Sequence, residues 1–203
     1  MKIIAIGRNY TEHIKELNNE KPDEPVIFTK PDTALLRNNE PFYFPDYTKN
    51  IHHEVEVVVK ICREGKYVEP AFAKDYYDQI GLGIDFTARD LQQKAKEKGL
   101  PWAIAKGFNG SAPVSDFYPV NQFGDPNNLN FSLDIDGKVV QQGNTNLMLY
   151  PIDEIISYVS QFFTLKKGDL IFTGTPKGVG PVAIGNRLKG YIENELLLDF
   201  EIK

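Results

Sequence analysis

The chain has 203 residues, with 23 Lys+Arg against 28 Asp+Glu, a formal net charge of -5, three His, one Cys and one Trp. That length suits one domain spanning 1–203, able to bury roughly 70% of its unfolded surface, and a lone cysteine closes no intrachain disulfide. The acidic balance argues against nucleic acid, and a start with no long apolar run and no 18-residue apolar stretch anywhere argues against a membrane and for a cytoplasmic protein.

A first strand is expected over 2–6. A short helix over 10–17 follows, with Asn9 as N-cap and Glu12 as its capping-box partner. His13 and Glu16, three apart, fall on one side of that helix, where a carboxylate can hold an imidazole tautomer and raise its basicity. A surface pair of this kind is also ordinary. From 18 to 45, Pro22, Pro25, Pro31, Pro41 and Pro45 predict extended pieces and turns.

The strand over 54–61 carries the strongest local signal, HHEVEVVV at 52–59. Alternation puts His52, Glu54 and Glu56 on one face and His53, Val55, Val57 and Val59 on the other. Two carboxylates so placed repel. Either water solvates that face opposite a valine core, or a divalent cation relieves the repulsion. Cys62, in an apolar run, reads as a buried, inert thiol.

Another strand is expected over 80–86 and a helix over 88–98, with Thr87 and Asp90 as capping box and Gly99 and Pro101 as the stop. This leaves Asp85 at a strand end with no capping duty. If the two acidic strands are neighbours, Glu54, Glu56 and Asp85 converge, and all-oxygen ligation selects a hard ion, Mg2+, Mn2+ or Ca2+. Lys106 is a cation in an apolar stretch, so it reaches either solvent or an anion.

Strands over 130–135, 169–173, 187–192 and 196–202 and a core-facing helix opened by Pro151 complete a β-rich α+β pattern. The loop TGTPKGVGP at 173–181 offers glycine backbone and the Thr175 hydroxyl, which suit a carboxylate. It lacks the spacing of a phosphate-binding P-loop, and GLGIDF lacks the third glycine of a dinucleotide fingerprint.

Taken together and in order, GRNYTEH at 7–13, KPDTA at 30–34, HHEVEV at 52–57, GIDFTARDLQ at 83–92, AKGF at 105–108 and TGTPKGVGP at 173–181 resemble the fumarylacetoacetate hydrolase family. The likeness is greatest to its short acylpyruvase and oxaloacetate decarboxylase branch, which has the catalytic domain alone. The resemblance implies a mixed β-sandwich roll with a few flanking helices, usually a homodimer. It implies Glu54, Glu56 and Asp85 as ligands of Mg2+ or Mn2+, and His13 and Glu16 as a catalytic dyad on a mobile lid near 9–18. It further implies Lys106 as the active-site lysine, with Arg89, Gln92 and Thr175 at the substrate. The implied activity is metal-assisted cleavage of a C–C bond beside a 2-oxo acid or β-diketo acid. The rivals are a tautomerase or isomerase of oxaloacetate or a 2-hydroxy-dienedioate, and a non-catalytic metal- or ligand-binding β-domain.

Overall fold

The valine repeat at 55–59 runs through the middle of the molecule. The computed structural model describes residues 1–17 and 20–203; Asn18 and Asn19, where the predicted lid segment ends and the proline-rich stretch begins, lie outside the described residues. Val55–Ile61 is an inner strand of a six-stranded sheet ordered Val26–Lys30, Ile3–Gly7, Leu170–Phe172, Val55–Ile61, Tyr77–Ile84 and Tyr118–Pro119. Ile3–Gly7 pairs in parallel with Leu170–Phe172, and the other pairings are antiparallel.

Both faces of Val55–Ile61 are covered. Val55, Val57 and Val59 join the main core with Phe131, Leu133, Leu188 and Phe200 of a second, four-stranded antiparallel sheet. Val58 points the other way, into a smaller cluster with Ile3, Ala5, Leu170 and Phe172. Each such aliphatic side chain contributes about 1.5–3 kcal/mol on burial. The two sheets approach closely at Gly190, where a Cβ would stand 2.6 Å from the Leu82 side chain. The expected β-rich α+β class is therefore the observed one.

Among the described residues, four α-helices flank the sheets: α1 (Thr11–Glu16), α2 (Arg89–Lys98), α3 (Ala103–Lys106) and α4 (Ile152–Phe162). Helix α4 follows Pro151 as expected and buries Ile152, Ile155, Ile156 and Val159 at helical spacing. Helix α2 ends at Gly99, which takes the left-handed conformation at φ 63°.

Neither predicted capping box forms. The residues before α1 and α2 are Tyr10 and Ala88, and neither supplies a side-chain cap. Asn9 instead turns its amide to Tyr150 and Thr173, while Thr87 bonds the Asp85 carbonyl and Asp90 accepts from Thr48. Long-range partners draw Asn9 and Asp90 away from the caps, and Thr87 turns back to the strand end two residues before it. Cys62 is only partly buried, its thiol pushed up chiefly by desolvation and then by Asp78.

Candidate active site

Strand register brings the acidic residues together. Val55 pairs with Ile84, so the next rung places Glu54 opposite Asp85, whose N–H donates to the Glu54 carbonyl at 2.8 Å. At this rung both strands leave the six-stranded sheet. Ile51–His53 and Thr87–Ala88 then pair with each other inside a separate, three-stranded sheet. One carboxylate oxygen from each of Glu54, Glu56 and Asp85 lies within 4.8 Å of the others. Glu54 is 5% exposed, Glu56 2% and Asp85 1%, so the solvated-face alternative for 54–56 fails. His52 is half-buried, and its Nδ1 has no partner among the described residues.

Buried cations answer these carboxylates. Lys106 Nζ donates to Glu54 Oε2 at 2.8 Å and to Asp85 Oδ2 at 2.5 Å, which settles its expected choice between solvent and an anion. Arg89 donates to Glu54 Oε1 at 2.5 Å and to Gln92 Oε1 at 2.6 Å from the first turn of α2. Lys30 Nζ pairs with Asp85 Oδ1 at 2.7 Å and also donates to the Ser111 carbonyl at 2.9 Å and to the Lys106 carbonyl.

These contacts divide the three acids electrostatically. Burial opposes ionisation of Glu54, but Lys106 and Arg89 overcome it and hold the carboxyl well below its ordinary range. Glu56 is pushed well above that range by burial and then by repulsion from Asp85 and Glu54, against one hydrogen bond of 2.7 Å from the Gly174 N–H. Burial pulls Lys106 down, and Asp85 and Glu54 more than restore it. Three buried carboxylate oxygens so spaced could serve as donors to a hard divalent ion, and the uncompensated Glu56 is the group whose repulsion such an ion would relieve. The residues fit such an ion.

Helix α1 brings the second group of candidates. His13 is buried and lines a cavity of about 30 Å³ together with Glu54, Glu56, Asp85, Lys106 and Thr175. Its Nδ1 lies 3.4 Å from Glu16 Oε2, and Glu16 also accepts from the Gly178 N–H at 3.0 Å. Burial lowers the His13 pKa below 6.5, against the opposing pull of Glu54 and Glu16. Larger surface clefts of about 540 and 560 Å³ flank Tyr47 and Phe108, but no carboxylate, histidine or lysine lines them.

The 173–181 loop does grip carboxylates, though they are the protein's own, Glu56 and Glu16. The Thr175 hydroxyl is also engaged. It donates to the Val55 carbonyl and accepts from Gln141 Nε2 at 2.9 Å. Gln141, 1% exposed, sits in the four-stranded sheet and reaches His53 Nδ1, the Val55 N–H and the Pro176 carbonyl as well. Because the Pro176 oxygen only accepts, the Gln141 amide orientation is fixed, and His53 must carry its proton on Nδ1. Lys30, Gln141 and Asn9 were not among the expected site residues. For Lys30 the signal was its place at the end of the apolar run VIFTK; Gln141 gave none.

Residues 2–198 match the family model of the fumarylacetoacetate (FAA) hydrolase C-terminal domain. The chain is 44% identical over 201 residues to oxaloacetate tautomerase FAHD1, mitochondrial, of Bos taurus, covering 99% of this chain and 91% of that protein. It is 44% identical over 189 residues to oxaloacetate decarboxylase, mitochondrial, of Dictyostelium discoideum, covering 93% and 87%. The fold superposes with a TM-score of 0.94 and 35% identity on fumarylpyruvate hydrolase from Pseudomonas aeruginosa in complex with Mn2+ and pyruvate, covering 100% and 89%. These relatives also correct the expected cytoplasmic placement, since the two oxaloacetate enzymes are mitochondrial proteins. Sequence and fold agree over nearly the whole length, and the chain belongs to the fumarylacetoacetate hydrolase family.

Proposed function

We propose that the chain is a divalent-metal-dependent enzyme that breaks the C–C bond beside a 2-oxo acid, hydrolysing acylpyruvates or decarboxylating oxaloacetate. The observation that carries this reading is the convergence of Glu54, Glu56 and Asp85 in one cavity with His13 and Lys106. Mg2+ or Mn2+ held by the three carboxylates supplies Lewis-acid stabilisation of enolate charge, an effect worth several kcal/mol.

The remaining steps fall to the chain's own groups. Glu16 holds the Nδ1–H tautomer of His13, leaving Nε2 to take a proton from water as the oxygen attacks the distal carbonyl of an acylpyruvate. The C3–C4 bond breaks, its electron pair passes to the pyruvate enolate, and the imidazolium returns the proton to C3. Lys106 and Arg89 offset the negative charge at the cleavage end, with Gln92 orienting Arg89. Decarboxylation of oxaloacetate reaches the same enolate by loss of CO2 and needs no attacking water. A cavity of about 30 Å³ holds roughly two waters, so α1 acts as a lid that swings to admit substrate.

A second reading is tautomerisation of oxaloacetate, favoured by the 44% identity to the Bos taurus tautomerase. His13 then moves a proton between C3 and the 2-oxo oxygen, and no carbon bond breaks. A panel of acylpyruvates and of keto and enol oxaloacetate, assayed with Mg2+ and after chelation, separates the two. Cleavage products that vanish on chelation and return with Mg2+ support the first reading; equilibration without cleavage supports the second. Full activity in metal-free protein would falsify the metal site.

A further inference from the structure

One side of the cavity is more cationic than the proposed chemistry at its floor requires. Besides Arg89, which is engaged by Glu54 and Gln92, the lining includes Arg8 and Lys96. Among the described residues neither has a carboxylate within 4 Å. Long basic side chains ordinarily splay apart into water, so two that line one cavity without a counter-ion make an anion-attracting mouth.

The fold holds both in place. Arg8 sits at φ 59°, a left-handed conformation that arginine rarely adopts and that strains the backbone. The next residue is pinned, because the Asn9 side chain bonds Tyr150 and Thr173. A Cβ on Gly174 would stand 2.7 Å from that of Asn9, so the turn is packed from behind. Lys96, in the lining of the same cavity, has its Nζ 5.9 Å from the centre of the Trp102 ring. Its pKa is lowered by burial first and then by repulsion from Arg8 and Arg89, which agrees with three cations crowding one space.

A 2-oxo monoacid presents one carboxylate, beside its 2-oxo group, and in the proposed chemistry that end belongs at the floor, by the carboxylates that would hold the ion. We infer that Arg8 and Lys96 form a separate subsite for the distal carboxylate of a dianionic 2-oxo acid, so that the enzyme prefers dicarboxylates. The inference rests on the proposed 2-oxo acid chemistry and adds its substrate class.

The test compares fumarylpyruvate, which has a distal carboxylate, with acetylpyruvate, which lacks one, on the Mg2+-loaded enzyme. Arg8→Gln and Lys96→Gln are each expected to raise the ratio of the fumarylpyruvate KM to the acetylpyruvate KM by about tenfold to a hundredfold, the strength of a charge-assisted hydrogen bond. Arg8→Lys should restore part of the preference. An unchanged ratio in both Gln variants overturns the subsite. If the wild type cleaves neither compound, the cleavage reading has failed, and the subsite is judged by calorimetric binding of 2-oxoglutarate and 2-oxobutyrate. Tighter binding of the dianion that is lost in Arg8→Gln and Lys96→Gln still supports it, and equal affinity for the two acids overturns it.

Discussion

The two halves of the site are built in different ways. The carboxylate floor comes from adjacent strands of the central sheet, and Asp85 alone meets Lys30 at 2.7 Å and Lys106 at 2.5 Å in a fully buried network. The His13 half rides on α1, a six-residue helix with no side-chain cap, and its contact with Glu16 is 3.4 Å long with Glu16 one-third exposed. A helix that short has little stability of its own. The groups proposed to hold an ion against like-charge repulsion are fixed from many directions, while those proposed to move protons and admit substrate sit on the element most easily displaced.

The most damaging way to break this contrast is at Asp85. Asp85→Ala removes one of the proposed metal ligands and leaves Lys30 and Lys106 without their shared anion, and breaking a buried pair costs about 3–5 kcal/mol. At about 2–4 °C per kcal/mol for a chain of this size, the melting temperature should fall by roughly 6–20 °C, with metal binding and activity lost; scanning calorimetry with and without Mg2+ checks this.

Substitution on α1 should separate activity from stability. His13→Ala is expected to slow acylpyruvate hydrolysis by about 10² to 10⁴ and oxaloacetate decarboxylation by less, with little change in melting temperature. Equal losses in both steady-state assays would sink the assignment of His13 to water activation.

A smaller effect is expected between the two halves. Gln141→Leu removes the partner of the Val55 N–H, the Pro176 carbonyl and His53 Nδ1 in the interior, a loss of about 1–3 kcal/mol for each group that stays orphaned. Urea titration reads that loss, and a raised KM should accompany it as Thr175 loses its lateral support.

The mildest test is pH. His13 works as a base only when neutral, and burial holds its pKa below 6.5, so kcat/KM should fall only as pH drops below 6.5. An acidic limb centred above that value contradicts the buried, neutral imidazole.

Much of this was legible in the residues. Alternating valines at 55, 57 and 59 marked a core strand, and a non-capping Asp85 at a strand end marked the third member of the converging carboxylates. The capping boxes misled because local spacing says nothing of Tyr150 and Thr173, which claim Asn9 from 141 and 164 residues away. Lys30 was missed for a related reason: only the tertiary fold supplies Asp85 and the Ser111 carbonyl as its partners.

The rung at which Glu54 and Asp85 leave the central sheet together has an evolutionary corollary. The acidic floor is part of the seam joining two sheets, so drift there puts the architecture at risk. Arg8, Lys96 and the helix bearing His13 stand on the rim of that seam and can be exchanged at far lower structural hazard. New specificities should therefore arise by retouching the rim while the seam is inherited intact.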